Sequence, residues 1–435
     1  MKQERIIQNE RAPLAASLWA ATANDAPDRP ALRGDAEAEV VVIGAGFTGL
    51  SAALHLAEAG KRVIVLEAET PGWGASGRNG GQVNPGLKAD PDETEAQHGR
   101  DIGGRMVGAS AAAGDLVFEL IEKYGIDCDA NRCGWVRSAT SASTLAALSE
   151  TGRQWRARGH AVDEINADEM ARLLGVKHYV GGLIDRRGGN LHPLNYALGL
   201  AAAAEKAGAK IHGQSRVKQM NSDADSITVT TDTGSVTAGK ALICTNAYTG
   251  PLANPLGQSL VPVTSVQVAT APLSDNMAQS ILPEGHSPSD TRRLLVYFRK
   301  DAHGRFIMGG RGAMSDKHVL DRQQVLRDVA SDLYPQLGDA QWSYAWGGDV
   351  ALTRSHAPGL HKVAPNAMAG LGFNGRGVGM ATVMGRILAD WAAGCPEDAL
   401  DHPVTPAQPI PFHRFRRIGL GATVALFGML DRFRL

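Results

Sequence analysis

Most of the residues that could do chemistry here are glycines, at spacings that leave backbone N–H groups bare. Gly44-Ala45-Gly46-Phe47-Thr48-Gly49 follows Val40–Ile43, four consecutive β-branched residues, and runs into Leu50, Ala53, Leu54 and Ala57 at helical spacing. A buried strand, a turn and a helix are the reading. In such a turn Gly44 permits the tight bend, Gly46 lets the backbone approach a pyrophosphate, and Gly49 lets helix and strand pack closely. The helix N-terminus then faces an anion. After Gly60 the chain returns through Val63–Leu66 to Glu67, where a carboxylate can accept hydrogen bonds from the ribose hydroxyls of an adenosine. A G-x-G-x-x-G alone is weak evidence; with strand, helix, second strand and acid in register it reads as a dinucleotide site.

Two more glycine runs extend the same chemistry. Pro71-Gly72-Trp73-Gly74-Ala75-Ser76-Gly77-Arg78-Asn79-Gly80-Gly81-Gln82 suits neither helix nor plain strand and reads as a second cofactor loop. Gly370-Leu371-Gly372-Phe373-Asn374-Gly375-Arg376-Gly377-Val378-Gly379-Met380 feeds a helix through Met384, Leu388 and Trp391, setting a positive helix end against an anion.

The first run ending in Leu66-Glu67-Ala68, followed by Gly72-Trp73-Gly74-Ala75-Ser76-Gly77-Arg78-Asn79-Gly80-Gly81-Gln82, resembles the D-amino-acid oxidase-like FAD-dependent oxidoreductases. The resemblance spans nearly the whole chain. It is strongest to the branch containing γ-glutamylputrescine oxidase, and also reaches glycine oxidase and monomeric sarcosine oxidase. It implies FAD, with Ala68, Gly74, Ala75, Ser76, Arg78, Asn79, Gly80, Gly81 and Gln82 along the diphosphate, ribityl chain and ring. It places Val217 beneath the adenine and Thr245-Asn246 at a second diphosphate turn, where asparagine stands in place of glycine. It gives the flavin's N1/C2 edge to Gly372, Asn374, Gly375, Arg376, Gly377 and Val378. Members that bind FAD covalently use a histidine in the second loop or a cysteine before the last one. Residues 70–81 have no histidine and 340–370 no cysteine, which implies noncovalent FAD.

On the substrate side the resemblance puts Tyr297 and Arg299 on a strand facing the flavin ring, where an arginine can fork onto a carboxylate. Arg311, Lys317 or Arg376 is the cation expected to favour reaction with dioxygen. The implied chemistry is oxidation of an amine or amino acid at the carbon next to nitrogen. The flavin takes the hydride, and an imine, then an aldehyde or oxo product and hydrogen peroxide result, with no metal or protein nucleophile. A γ-glutamylputrescine-like substrate is implied. The alternatives are a secondary amino acid such as pipecolate or sarcosine, or a membrane-associated dehydrogenase passing electrons to quinone. His192, beside Pro193 at a helix start, reads as a residue that orders the turn and helps shape the cleft wall.

These loops need two domains to hold them. A chain of 435 residues exceeds one simple core. The expected fold is α/β: a Rossmann-like FAD-binding domain from 37–98, 180–258 and 346–400. A discontinuous antiparallel-sheet substrate domain from 99–179 and 259–345 completes it. Asp101–Tyr124 is expected as one helix, Ser141–Arg158 as another, and Asp168-Glu169-Met170 as a solvated face. Pro262–Thr270 reads as a strand with two unlike faces, the start of a sheet that roofs the flavin. Residues 1–36 read as a solvated or packed arm instead of a signal peptide. A net charge of -1 leaves no electrostatic footprint for nucleic acid, and four cysteines without C-x-x-C spacing suit a cytoplasmic protein. In the tail, 401–435, Ile418–Leu430 lies between arginines and would reach about 20 Å as a helix, too short to span a bilayer. It is expected to dock on the protein or a second subunit, with peripheral contact on the inner face of the membrane as the alternative.

Overall fold

The structure, a computed structural model, describes residues 14, 16–253, 255–313, 316–416, 418, 419 and 421, with the backbone alone at 311–313 and 316–318. Most of the C-terminal apolar stretch, and residues 1–13, therefore lie outside the described residues.

Two sheets organise the described chain. In the first, Gly34–Ile43 lies between Val63–Leu66 and Gly234–Ile243, parallel to both. The strand is longer than its β-branched run because Gly34–Ala38 also pairs, with Gly234–Ala238. Val41 and Val42 are wholly buried, as expected where helices cover both faces. Helix Phe47–Glu58 packs against the final helix, Gly377–Ala393. They meet where a Cβ on Gly385 would lie 2.6 Å from Ser51 Cβ. Gly234–Ile243 is one continuous strand, parallel to Gly34–Ile43 along its length and, over Ser235–Ala238, antiparallel to Ile227–Thr230 on its other edge.

The second sheet roofs the first. Its strands run in the order Trp342–Leu352, Val261–Pro272, Arg305–Ala313, Val296–Lys300, Ser287–Asp290, Trp135–Ala139, Gly181–Asp185 and Val162–Asn166. Three domain boundaries expected from the sequence move accordingly. Gly181–Asp185 pairs with Trp135–Ala139, and Trp346–Leu352 with Val261–Gln267, so both belong to the roof. Residues 100–124 form two helices, Arg100–Ala111 and Ala113–Tyr124, that pack on the cofactor side, with Met106, Ala113 and Val117 in one core with Val42 and Leu50. Apolar periodicity specifies that a face is buried but not against which partner. Val261–Pro272 has two unlike faces, as expected: Ser265 and Gln267 line the cavity and Val266 and Val268 join the roof core, all four buried. Asp168 is exposed and Glu169 half-buried, whereas Met170 joins the roof core.

The N-terminal arm is packed where it is described. Trp19 is buried edge-on to His192 and Trp346. His192 caps helix Pro193–Lys206 through Nδ1, which accepts the Asn195 N–H at 3.1 Å. Thr22 donates its hydroxyl proton to Leu18 O, so His192 Nε2 carries the proton it gives to Thr22 Oγ1 at 3.0 Å. Burial, then the Arg299 charge, lower the His192 pKa to about 4. Its folded pKa lies below its unfolded value of about 6.5, so stability is lost as pH falls from about 6.5 through 4. Buried His402, also lowered to about 4, adds to the same slope. Replacing His192 with Asn, a non-titrating cap, should remove about 2 kcal/mol of the acid-induced loss, read from urea unfolding at pH 7 and pH 4.5.

Candidate active site

Between the sheets lies a cavity of about 1410 Å³ on which all three glycine loops converge. Gly44, with φ +102, turns the chain at the end of the first strand, and Ala45, Gly46, Phe47 and Thr48 follow it along the wall. Gly49 sits behind, where a Cβ would overlap the Gly44 carbonyl oxygen. Glu67 stands at the neighbouring strand's end beside Ala68. Its carboxylate accepts the Ala45 N–H at 2.7 Å and the Glu69 N–H at 3.0 Å, while burial raises its pKa. Val217 lines the same end.

The second loop is tied to the first turn by Ser76, whose Oγ accepts the Phe47 N–H at 3.0 Å; a Cβ on Gly46 would lie 2.9 Å from that oxygen. Gly74 and Ala75 flank it, and Gly74 approaches the Tyr248 ring. Asn79 holds the loop's own backbone, accepting from Gly81 N and donating to Ser76 O. Arg78 lies over the Trp73 ring at 4.3 Å and donates from Nε to Trp73 O. Gly80 and Gln82 reach the cavity; Gly81, with φ +71, is packed behind it against Leu191 O.

Across the cavity Asn246 adopts φ +45, the left-handed conformation that asparagine tolerates in place of glycine, and its Oδ1 accepts the Gly372 N–H. Thr245 lies beside it. Asn374, Gly375, Arg376, Gly377 and Val378 bring the N-terminus of the last helix to the wall, while Gly372 is set back. Among the described residues, two buried polar atoms along the cavity, Arg78 Nη2 and Asn84 Oδ1, have no hydrogen-bond partner. Buried polar groups are rarely left unmatched, and a long ligand with diphosphate, ribityl and heterocycle groups fits such a wall. These loops and Glu67 are the residues that would hold it.

The substrate-side expectations divide. Tyr297 lines the cavity over Gly80, its hydroxyl 2.9 Å from Ser265 Oγ. Arg299 does not line it. Its guanidinium is buried behind the second loop and donates to Gly80 O, Leu191 O and Asn190 Oδ1, which corrects the carboxylate-binding role expected of it. His192 likewise is absent from the cavity wall and serves as a helix cap. The Arg311 backbone pairs with Ser265; its side chain and that of Lys317 lie outside the described residues. Sequence reasoning missed Ser265, Gln267, Trp135, Arg137 and Ser289, all on the wall. The one available signal was polar residues alternating inside otherwise apolar strands.

A parallel sheet with a dinucleotide-type turn and acid, roofed by a polar-faced antiparallel sheet across a large cavity, is the architecture of a dinucleotide-binding protein. The chain belongs to the DAO family of FAD-dependent oxidoreductases, whose model matches residues 39–391, and FAD is its cofactor. It is 33% identical over 420 residues to γ-glutamylputrescine oxidoreductase of Escherichia coli (strain K12), covering 96% of this chain and 98% of that protein. Glycine oxidase of Pseudomonas aeruginosa is 27% identical over 82% of this chain and 94% of its own length. The crystal structure of glycine oxidase from Geobacillus kaustophilus shares the fold, with a TM-score of 0.69 at 21% identity over 82% of this chain and 95% of that one.

Proposed function

We propose that the protein oxidises an amine at the carbon beside nitrogen, with γ-glutamylputrescine or an amine of similar length and charge as substrate. The imine formed is hydrolysed by water to an aldehyde. Bound FAD supplies the hydride acceptor, and the chain's residues orient the amine. The observation that carries the reading is the unmatched Gln267 Oε1 beside Tyr297. Gln267 Nε2 is held by Arg78 O, so the amide is fixed with its oxygen available to accept an N–H from a neutral amine. The similarity to γ-glutamylputrescine oxidoreductase along almost all of both chains supports the substrate.

FAD in this reading is noncovalent. Among the described residues the cavity is lined by no histidine and by one cysteine, Cys244, whose thiol burial pushes well above its usual range. Acid precipitation should leave all the flavin in the supernatant. Dioxygen is the electron acceptor in this reading. The exposed Phe412, Phe415 and Ile418, beside Arg414 and Arg416, favour a second: a dehydrogenase resting on a membrane surface and passing electrons to quinone.

The test is anaerobic. γ-Glutamylputrescine, putrescine, sarcosine, pipecolate and glycine are each added to the yellow protein while absorbance is followed at about 450 nm. Bleaching by γ-glutamylputrescine at least tenfold faster than by the amino acids is the expected result. Recovery of colour with peroxide on readmitting air indicates the oxidase; slow recovery with fast quinone reduction indicates the dehydrogenase. Equal or faster bleaching by glycine or sarcosine would overturn the substrate assignment.

A further inference from the structure

One row of residues crosses the roof sheet. Arg137 is directly paired with Ser289, Ser289 with Tyr297, Tyr297 with Gly309, and Gly309 with Gln267. Directly paired residues share a face, and Arg137, Ser289, Tyr297 and Gln267 all line the cavity. The polar groups along this row are differently occupied. Ser289 Oγ accepts the Trp135 indole N–H at 3.1 Å and donates its one proton to Gln82 Oε1 at 3.2 Å, so it has no proton left for an anion. The Tyr297 hydroxyl is engaged with Ser265. Arg137 is different: among the described residues its guanidinium has neither a hydrogen bond nor an ion pair, and it lies 5.7 Å from the Trp135 ring centroid.

The neighbouring charges do not use it. Asp185 is forked onto Arg187, and Asp90 accepts from the Thr151 hydroxyl. Arg292, the next cation along the wall, is paired with Asp290 at 3.0 Å. Arg376 donates to Pro85 O and lies over the other side of Trp135 at 4.5 Å. Burial in the wall lowers the Arg137 pKa, with Asp90 and Asp185 opposing it from a distance. A half-buried guanidinium on the cavity wall without an acceptor is poised for an anion from the ligand.

We infer that Arg137 is the subsite for a carboxylate at the far end of the substrate. It therefore selects amines with a long carboxylate-bearing tail over α-amino acids. Two strand spacings separate Arg137 from Tyr297, about 10 Å along the row. An α-amino acid has its carboxylate next to the reacting carbon and cannot reach from the flavin-facing end to Arg137. γ-Glutamylputrescine carries its α-carboxylate at the opposite end from the amine that reacts, and an ω-amino acid of similar length does the same. The inference rests on the amine-oxidation reading for which end reacts, but the anion subsite itself does not.

The test uses the FAD-loaded protein and two readouts. Calorimetric titration with hexanoate and with hexan-1-ol measures the subsite without turnover. Hexanoate should bind the wild type, and Arg137→Gln should weaken it by at least about 30-fold while leaving hexan-1-ol unchanged. Arg137→Lys, which keeps charge but loses the fork, should weaken it by about fivefold, and carries the test should the Gln variant lose its flavin. In anaerobic bleaching, Arg137→Gln should raise the half-saturating γ-glutamylputrescine concentration by the same factor. The limiting rate, and the response to putrescine, which has no carboxylate, should hold within twofold. Hexanoate that fails to bind the wild type, or binds both variants as tightly as the wild type, overturns the subsite. Hexanoate binding that depends on Arg137, with no amine bleaching the flavin, keeps the subsite and overturns the oxidation reading instead.

Discussion

Gly49→Ala is expected to emerge from purification without flavin. Its new methyl group would overlap the Gly44 carbonyl oxygen and lie 3.1 Å from Val42 Cγ1. Neither neighbour can give way cheaply. The Gly44 N–H is held by Leu66 O, and Val42 is fully buried in the central strand. The helix cannot back off either, because on its far side Thr48 and Ser51 meet the last helix at Gly385. The relief left is a tilt of the helix start, which would move the Gly46 N–H off the bound diphosphate and pull the Phe47 N–H from Ser76 Oγ, its tie to the second loop. Losing one charge-assisted hydrogen bond and that tie amounts to about 3 kcal/mol, an FAD affinity lower by about 100-fold. Titration of the apoprotein with FAD by flavin fluorescence measures this, and circular dichroism separates it from global unfolding. Gly104→Ala is the control. It lies in helix Arg100–Ala111 with nothing within 4 Å of its Cβ, and the same change should stabilise by about 0.5–1 kcal/mol. A Gly49→Ala protein carrying its full complement of FAD would sink this account of the turn.

That glycine was readable from the chain because the turn demands a residue type at a fixed spacing. The same holds for Gly44 with its positive φ, for Glu67 at a strand end, and for Asn246, whose left-handed backbone asparagine accommodates. Contacts made within one βαβ unit, or by a loop's own backbone, leave such marks in the local sequence. Strand pairing does not. Trp135–Ala139 lies beside Ser287–Asp290, some 150 residues away, and that pairing alone brings Arg137 into line with Tyr297. Nothing in either segment names the other. The misplaced boundaries at 180 and 346 have the same origin: tertiary pairing, not the local sequence of Gly181–Asp185 or Trp346–Leu352, decides which sheet takes them. Arg299 shows a third case. Tyr297 and Arg299 are two residues apart on one strand face, so a shared role was the natural expectation, yet the second loop passes between them and takes the guanidinium as its support.

Removing that support should have the second large effect. Arg299 is 3% exposed and joins three separate pieces of chain. Nε donates to Gly80 O at 2.7 Å, Nη2 to Leu191 O at 2.7 Å and Nη1 to Asn190 Oδ1 at 3.1 Å, while its carbon lies 5.0 Å above the Trp19 ring. Burial lowers its pKa to about 10, so the guanidinium remains charged at neutral pH and relies on those acceptors for solvation. Arg299→Met keeps the apolar stem and strands three buried acceptors, each worth about 1–3 kcal/mol when unmatched. The expected loss is about 3–5 kcal/mol in urea unfolding. Weaker retention of FAD should accompany it, because the Gly80 carbonyl is the loop's anchor beneath Tyr297. Arg299→Lys should recover less than half, since one ammonium cannot meet three acceptors set in a fork. With FAD saturating and the temperature well below unfolding, the half-saturating concentration of γ-glutamylputrescine should stay within about twofold of wild type, against the 30-fold rise expected for Arg137→Gln. The opposite pattern, an unchanged unfolding midpoint with a large rise in that concentration, would return Arg299 to the substrate site and leave Gly80 to be held by the rest of its own loop.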